Sequence, residues 1–482
     1  MTETRKIVID PVTRVEGHGR VTLLLDEAHQ VTEARVHIVE FRGFERFVQG
    51  RPYWEAPVLV QRLCGICPVS HHLCAAKAID EVVGMSDETL TETARGMRRL
   101  MHYGQVLQSH ALHYFYLAAP DLLLGVDSQP ALRNVIGLAA LDPELAKRGI
   151  LIRKFGQEII RATAGKKIHG ISAVPGGIHK NLSPAERDTF FQGGEIPSVD
   201  TVIAWCSELI EHYRAYHARN RAWIDGFAHD PANCLSLVGP DGQMDLYHGN
   251  LRCIDAQGKR ILDDINYHQY LDHYAEEARE WTYMKFPYLR VLGAERGWMR
   301  VGPLARINVC EGIPTPKAQA ALEVFRSENG RYSHRVLHTH WARVIEMLHC
   351  AERIREWLHN PVLQGEDLVR KGGFHPVGIG FLEAPRGTLI HHYEVAESGE
   401  ILKCNLIVST THNNESMNRS VRMVAERVLG GQRDISEGML NQVEVAIRAY
   451  DPCLSCATHA LGQMPLRVQA VQQGEVVQEW IR

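Results

Sequence analysis

Two short cysteine motifs at opposite ends of the chain constrain its fold more than any other feature. Cys64 and Cys67 form a C-x-x-C pair near the start, and Cys453 and Cys456 form a second pair near the end. A C-x-x-C turn brings two sulfurs within reach of one metal ion, and thiolates prefer soft or borderline transition metals. The sequence therefore predicts a chain that folds its two ends together around a metal centre.

Four interpretations of these cysteines compete. A structural zinc site usually separates its two knuckles by roughly 15–20 residues, whereas most of the chain separates these two pairs. Ferredoxin-type iron–sulfur motifs bring three or four cysteines together in sequence, which this chain never does. A redox dithiol needs a single C-x-x-C. A two-metal site closed between the chain ends is the fourth interpretation, and it accounts for both pairs.

Composition limits the kind of protein and its compartment. The 482 residues are 45% hydrophobic and 23% charged, with a formal net charge of −4. That balance favours neither a nucleic-acid partner nor a membrane surface. The chain has no apolar run of 18 residues, so we expect no membrane span. It has 11 cysteines, most of them isolated. Isolated cysteines are typical of a reducing compartment, and the chain begins without a signal peptide, so we expect a cytoplasmic protein.

Hydrophobic periodicity predicts an α+β protein that is mostly helical, with small antiparallel sheets near both ends. Alternating residues predict strands at four places: 6–9, 20–25, 34–39 and 377–410. Helical spacing predicts three long helices: 89–118, 202–227 and 436–450. We expect Pro120 and Asp121 to end the first of these helices. The last helix leads directly into the second cysteine pair.

The two cysteine motifs resemble the paired signatures of the nickel–iron hydrogenase large subunit. The first reads R-x-C-G-x-C-x-x-x-H over Arg62–His71, and the second reads D-P-C-x-x-C-x-x-H over Asp451–His459. The chain is most similar to the cytoplasmic, NAD-reducing type. The resemblance covers the whole chain and implies the large-subunit fold, with a single catalytic domain over 1–459. It also implies that an endopeptidase removes the extension 460–482 during maturation.

The resemblance also assigns roles to the four thiolates. Cys64 and Cys453 would be terminal ligands of nickel, and Cys67 and Cys456 would bridge nickel and iron. Carbon monoxide and cyanide would complete the coordination of the iron. His71 would donate a hydrogen bond to a bridging sulfur, rather than bind a metal itself.

Other motifs match the family around this centre. The R-x-E-G-H match would make Glu16 the carboxylate that receives the proton leaving the metals, because burial can raise a carboxyl pKa toward neutrality. Without the resemblance, an ion pair between Arg14 and Glu16 on a strand surface is the plainer interpretation. Arg386 would lie over the iron, with Pro385 and Thr410 lining the pocket for its diatomic ligands.

Four further residues complete the implied site. Asp121 and Asp451 would surround Arg386 with carboxylates. Glu45 and His459 would hold a magnesium ion beside the metal pair, in keeping with the preference of magnesium for oxygen ligands and water. For Glu45 alone, an ordinary exposed acid is the competing interpretation.

The resemblance implies an enzyme that cleaves H2 reversibly and heterolytically, and the sequence adds a division of labour. The chain has no G-x-G-x-x-G unit and no P-loop, so we do not expect it to bind NAD. Electrons would leave through a small iron–sulfur subunit, and a module with flavin and iron–sulfur clusters would reduce NAD. A maturation endopeptidase and nickel-insertion proteins are the other expected partners. The alternatives are a hydrogen-sensing relative, a zinc-stabilised scaffold subunit, and a quinone-site subunit of a respiratory complex, against which the four cysteines argue.

Overall fold

The chain forms mainly helices, with short sheets between them. The computed structural model describes residues 5–458, 467–472 and 475–481. The helices in chain order are α1 Phe44–Phe47, α2 Ala56–Leu59, α3 Pro68–Val82, α4 Glu92–Leu112, α5 Ala119–Leu124, α6 Val135–Leu141, α7 Pro143–Ala164, α8 Pro184–Gln192, α9 Val199–Arg219, α10 Arg221–Phe227, α11 Tyr270–His273, α12 Gly293–Arg296, α13 Pro303–Val309, α14 Pro316–Asn329, α15 His338–His359, α16 Ser409–His412, α17 Asn414–Leu429 and α18 Glu437–Ala449.

The strands confirm the predicted fold class, with small antiparallel sheets at both ends. They are β1 Arg5–Ile9, β2 Gly19–Leu25, β3 Val31–Ile38, β4 Ala173–Val174, β5 Gly177–Ile178, β6 Asn233–Val238, β7 Asn250–Ile254, β8 Arg260–Ile265, β9 Tyr274–Glu277, β10 Phe286–Leu289, β11 Met299–Arg300, β12 Val377–Ala384, β13 Gly387–Val395, β14 Ile401–Ile407, β15 Arg467–Gln472 and β16 Glu475–Ile481. Sheets β1-β2-β3 and β12-β13-β14 lie towards the two ends of the chain, and a four-stranded sheet, β11-β6-β7-β8, lies between them.

The largest part of the core surrounds α4, which packs against α7 and α15. The backbones of α4 and α7 approach closely because Gly104 and Gly156 face each other. A Cβ at Gly104 would lie 2.7 Å from Cγ2 of Ile159, and a Cβ at Gly156 would lie 2.8 Å from the Gly104 carbonyl oxygen. Larger residues at these two positions would force the helices apart, which would disturb the polar side chains that α4 presents further along.

The helix predicted over 89–118 runs further than expected. After α4 the chain makes a π-helical turn over His113–Ala118 and continues directly into α5, which ends at Leu124. The prediction that Pro120 ends the helix is wrong. Pro120 lies in the first turn of α5, where a proline is tolerated, and the wider π turn precedes it.

The helix predicted over 202–227 is two helices in the structure. The break is at Asn220, which follows α9 and precedes α10 with non-helical dihedral angles. Helix α18 matches the prediction well, because Ser436 caps it by accepting a hydrogen bond from the Met439 N–H.

Strands β15 and β16 form an antiparallel pair in the C-terminal extension. Within the described ranges, we find no helix that is long and apolar enough to cross a membrane.

Candidate metal centre

The structure brings the four motif cysteines together in the interior. Their sulfur atoms all lie within 4.8 Å of one another, and all four residues are buried. Sγ of Cys453 lies 3.3 Å from Sγ of Cys64, and Sγ of Cys67 lies 3.5 Å from Sγ of Cys456. Each sulfur pair joins the two ends of the chain, so the predicted closure of the site between the motifs is present.

The first cysteine pair is organised by its own backbone. The N–H groups of Ile66 and Cys67 donate to Sγ of Cys64 over 3.1 and 3.3 Å. Cys67 is the N-cap of α3, with Pro68 as its first residue, so the turn passes directly into a 15-residue helix. The N–H donors favour the thiolate form of Cys64, which is the form that binds metals.

The second cysteine pair is held by distant parts of the chain. Cys453 pairs with Glu16 as an isolated β-bridge, and the Cys453 N–H donates to Oγ1 of Thr410 over 2.9 Å. Gly17, at a φ of +82°, makes this contact possible because a Cβ there would lie 2.7 Å from the Ser455 N. The β1–β2 connection thus holds the end of the chain against the site.

The carboxylate of Glu16 lies directly beside the sulfurs. Its Oε2 is 3.1 Å from Sγ of Cys453 and accepts the Ser455 N–H over 3.1 Å. Burial raises the pKa of Glu16, and the charge of Cys64 raises it further. The plainer interpretation, a surface ion pair between Arg14 and Glu16, is wrong. Arg14 points elsewhere and donates to Oδ1 of Asp121 over 2.5 Å.

Arg386 lies between the cluster and a fixed set of acceptors. Its Nε donates to the Asp451 carbonyl oxygen over 2.5 Å, and its Nη2 donates to Oδ1 of the same residue over 3.0 Å. Its Nη1 donates to Oγ of Ser109 over 3.3 Å. Burial opposes its charge, but Asp451 and Cys453 outweigh burial and raise the pKa of Arg386. The guanidinium is therefore a cation held beside the sulfurs, lining the same cavity as Cys67 and Cys453.

Asp451 holds Arg386 because of an unusual backbone conformation. Its φ is +52°, in the left-handed region, which turns the chain out of α18 just before Cys453. The other carboxylate oxygen, Oδ2, accepts from Nη1 of Arg343 over 3.3 Å. The prediction that Asp451 lies against Arg386 therefore matches the geometry.

Asp121 was expected beside Arg386, and the structure does not place it there. Apart from its contact with Arg14, its carboxylate accepts from Arg448 Nη1 over 2.9 Å and from Asn441 Nδ2 over 3.1 Å. Within the described part of the chain, none of its hydrogen bonds is with Arg386. Asp121 thus lies against Arg14 and against Asn441 and Arg448 of α18.

His71 lies one helical turn beyond Cys67 and reaches the other motif. Its Nε2 is 3.3 Å from Sγ of Cys456, and its Nδ1 is 3.1 Å from Nε2 of His391. Nδ1 of His391 is in turn 2.9 Å from the hydroxyl of Tyr393. The sequence indicated the first of these contacts, and the two residues behind it were missed.

A small cavity adjoins the sulfurs on the side of Arg386. Its lining includes the three residues that were expected to face the iron: Pro385, Arg386 and Thr410. Leu389 and Val408 contribute apolar surface to the same cavity. A single ion bound tetrahedrally by the four sulfurs would not need this cavity.

The predicted magnesium site is described only in part. Glu45 lies in α1, and its Oε1 accepts the Leu406 N–H of β14 over 2.8 Å. His459 lies outside the described residues. The structure therefore brings Glu45 onto the β14 side of the sheet that carries His391, and the rest of the magnesium prediction stays a prediction.

Ser109 and Arg343 are two further polar side chains that sequence reasoning missed. They come from α4 and α15, and each reaches the site across a long stretch of chain. No spacing in the sequence marks either residue. The spacing of His391 and Tyr393 does predict that the two side chains lie together, because alternate residues of a strand face the same side.

The chemistry of the donor set fits bound transition metal. Burial raises the pKa of Cys453 and of Cys456, whereas hydrogen bonds from Cys453 and its neighbours lower the pKa of Cys64. The protein alone thus favours one thiolate among thiols. A soft cation would stabilise the thiolate form of the other three cysteines. The buried cluster therefore suits a soft or borderline transition metal.

Comparison with known proteins agrees with this geometry. A family model described as nickel-dependent hydrogenase matches residues 42–133 and 245–459, and a model described as HoxL-like matches residues 6–41. The NAD-reducing hydrogenase HoxS subunit beta of Cupriavidus necator is 54% identical and aligns over 99% of this chain and 100% of its own.

Two other relatives extend the comparison. The F420-non-reducing hydrogenase of Methanothermobacter thermautotrophicus has a subunit that is 39% identical over 98% of both chains. The crystal structure of an NAD+-reducing [NiFe]-hydrogenase in the H2-reduced state superimposes with a TM-score of 0.92 and 53% identity, covering 95% of this chain and 100% of that one. The chain described here is therefore a large subunit of the nickel-dependent hydrogenase family.

Proposed function

We propose that this chain is the catalytic subunit of a nickel–iron hydrogenase that cleaves H2 heterolytically and supplies electrons for the reduction of NAD. One observation carries the proposal. The buried four-sulfur cluster adjoins a cavity that is lined by Arg386 and Cys453. The carboxylate of Glu16 contacts the sulfur of Cys453. A zinc scaffold would need the sulfurs but neither the cavity nor the carboxylate.

The four cysteines would bind the two metals. Cys64 and Cys453 would hold nickel, while Cys67 and Cys456 would be shared between nickel and iron. The bound pair would supply the Lewis-acid and redox chemistry that splits H2 into two protons and two electrons. The cavity beside Pro385, with its Thr410 hydroxyl and Arg386 guanidinium, would take the carbon monoxide and cyanide ligands of the iron.

The protein's own side chains would accept a proton and hold a positive charge in place beside the sulfurs. A proton on Sγ of Cys453 faces Oε2 of Glu16 at 3.1 Å, within hydrogen-bonding reach for a thiol donor. Burial raises the pKa of Glu16, which brings the carboxylate closer to the basicity that a proton acceptor needs. Arg386 cannot swing away, because three hydrogen bonds to Asp451 and Ser109 hold its plane.

The magnesium site belongs to the same proposal. Glu45 would contribute a carboxylate oxygen, with its position held by the Leu406 N–H. His459 would provide the second ligand once it becomes the last residue of the chain. Magnesium prefers oxygen donors and retains water, so a carboxylate on α1 suits it.

Removal of the C-terminal extension is also part of the proposal. The family match ends at residue 459, and the solved H2-reduced chain is covered completely while about 5% of this chain is left unmatched. The unmatched part of this chain is therefore about as long as the extension 460–482, which has 23 residues. The catalytic domain would thus be 1–459, produced by an endopeptidase after nickel-insertion proteins have acted.

Partner subunits would carry the electrons. The sequence has no dinucleotide-binding motif, whereas the Cupriavidus necator relative is named as part of an NAD-reducing enzyme. A small iron–sulfur subunit would receive the electrons, and a module with flavin and iron–sulfur clusters would deliver them to NAD. Because NAD is a cytoplasmic electron carrier, the complex would function in the cytoplasm.

Metal analysis combined with a turnover assay tests the function. The purified complex should reduce NAD with H2 and should contain nickel and iron in this subunit, whereas the isolated chain should not reduce NAD. Nickel and iron without turnover would favour a hydrogen sensor. Zinc as the sole metal of the chain would favour a scaffold and contradict the proposal.

A further inference from the structure

A second group of metal-binding side chains lies where three helices meet, apart from the cysteine cluster. His217 is in the last turn of α9, Asp225 is in α10, and His338 is the first residue of α15. The three ligand atoms are Nε2 of each histidine and Oδ1 of the aspartate. They lie within 4.8 Å of one another. Nothing in the reaction proposed above uses them.

The spacing of these atoms matches a coordination sphere. The two Nε2 atoms are 3.2 Å apart, and Oδ1 of Asp225 lies 3.3 Å from His338 and 4.0 Å from His217. Three points with these separations lie on a circle with a radius of about 2.1 Å, and zinc binds histidine nitrogen at about 2.0–2.1 Å and carboxylate oxygen at about 2.0–2.2 Å. One ion could therefore reach all three atoms without any movement of the chain.

The environment of the two histidines favours metal binding. Both are buried, and Nδ1 of His338 lies 2.8 Å from the hydroxyl of Ser333, the kind of contact that orients a metal-binding imidazole. Burial lowers the pKa of His217 and, with His217 as neighbour, lowers the pKa of His338 to about 3. Both rings are therefore neutral at pH 7, as ligation requires.

Asp225 has an oxygen atom that its neighbours do not satisfy. Oδ1 is buried, yet it accepts no well-formed hydrogen bond from any residue in the described ranges. Nε of Arg335 lies 3.2 Å from Oδ1, and Nε of Arg221 lies 3.3 Å from Oδ2. Both arginines are partly exposed, so water weakens their hold on the carboxylate.

We propose that His217, Asp225 and His338 bind a divalent transition metal of the zinc class, with water at the remaining position. The ion would tie together α9, α10 and the start of α15. Helix α15 also carries Arg343, which binds Asp451 beside the cysteine cluster. The site is thus a structural brace for one wall of the active site. His217 and Asp225 lie between the two stretches matched by the nickel-dependent hydrogenase model, whereas His338 lies within the second stretch.

Metal content of the intact complex tests the proposal. The wild-type complex, incubated with zinc chloride and then desalted, should contain one more zinc per large subunit than complexes with Asp225→Asn or His217→Gln. Nickel, measured in the same samples, should be unchanged. Asp263→Asn is the matched control, because Asp263 also pairs with two arginines, Arg252 and Arg260, but belongs to no group of potential metal ligands among the described residues. It should keep the full zinc content.

A second measurement covers variants that fail to fold. Crystals of the wild-type complex, soaked in zinc chloride and measured above the zinc absorption edge, should show an anomalous peak between His217 and His338. Equal zinc in the wild type and in folded variants, or no peak at that position, would overturn the proposal. Because nickel is counted separately, failure here is distinguishable from failure of the hydrogenase function.

Discussion

The two cysteine pairs of the metal centre are chemically alike but are held in opposite ways. Cys64 and Cys67 lie in a turn that donates its own N–H groups to sulfur and passes directly into α3. Cys453 and Cys456 follow α18, but their turn is positioned by Glu16 and Thr410 from far along the chain. One half of the site is locally organised, whereas the other depends on the completed tertiary structure.

This difference indicates an order of assembly. The first pair can adopt its geometry once α3 has formed, because its hydrogen bonds are within four residues. The second pair needs the β1–β2 connection and α16, which carries Thr410, to be in place before it can close. The second pair is also the one that continues into 460–482, the extension whose removal is proposed above.

Substitution of a cysteine in either half should have the largest effect. Cys64→Ser and Cys456→Ser should each abolish H2 oxidation, because serine does not provide a thiolate ligand. The measurement is H2-dependent activity together with nickel content. Cys74→Ser is the control, since Cys74 is a buried thiol whose neighbours are the Gly380 and Leu389 carbonyls. Near-normal activity and nickel in either ligand variant would show that the two halves are not both required.

Blocking removal of the extension should also prevent activity. A chain that still ends at Arg482 should be inactive, whereas active enzyme should end at His459. Intact-mass spectrometry of the active complex distinguishes the two. Full activity in a chain with the mass of all 482 residues would contradict the proposed processing.

Glu16→Gln should separate the proton step from the binding of metal. The amide keeps the shape but cannot accept a proton, so turnover should fall by about 10²–10⁴-fold, the usual contribution of a positioned acid or base. Nickel content should stay unchanged. Glu40→Gln is a control, because Glu40 is an exposed carboxylate that pairs with the exposed His18.

The pH profile sharpens the same prediction. Burial raises the pKa of Glu16, so the carboxylate becomes protonated, and stops accepting, at a higher pH than an ordinary glutamate. H2 oxidation should therefore fall as the pH falls through this raised pKa. The acid limb should be absent in Glu16→Gln. An identical acid limb in wild type and variant would remove Glu16 from the proton route.

Arg386→Lys should have a smaller but clear effect. Lysine keeps the charge, but it cannot reproduce three hydrogen bonds in one plane to Asp451 and Ser109. Loss of a charge-assisted hydrogen bond costs about 1.5–3 kcal/mol, so turnover should fall by about one to two orders of magnitude. Steady-state rates at saturating H2, with metal content as the control, test this prediction. Unchanged rates would show that charge alone suffices.

The smallest effect is expected from the support of the second pair. Thr410→Val leaves the buried Cys453 N–H without its acceptor, which should cost about 1–3 kcal/mol of folding free energy. Thr410→Ser should restore the stability. Ser70→Ala is the counterpart beside the first pair and should be neutral, because the buried Ser70 hydroxyl makes no hydrogen bond within the described residues. Thermal unfolding of the purified complexes measures all three. Equal losses for Thr410→Val and Ser70→Ala would mean that the two halves are supported alike.

Several structural features could be predicted from the sequence because they depend on local spacing. The strands near both ends follow from alternation, and α18 follows from its periodicity and from Ser436 as a cap. Pro120 misled the prediction for a physical reason. Proline blocks one backbone hydrogen bond, and a π turn immediately before it provides a route for the helix to continue.

By itself, the sequence determined which side chains form the four-sulfur cluster. Four thiolates in two C-x-x-C turns have a chemistry that does not depend on the rest of the fold, and motif spacing is a local property. Only the tertiary structure decided which groups surround them. Arg386 meets Ser109 rather than Asp121, and His217 meets His338, because helices packed side by side bring together residues far apart in sequence. These contacts depend on how the helices cross and on where each helix ends. The spacing of residues within one segment encodes neither of these two properties.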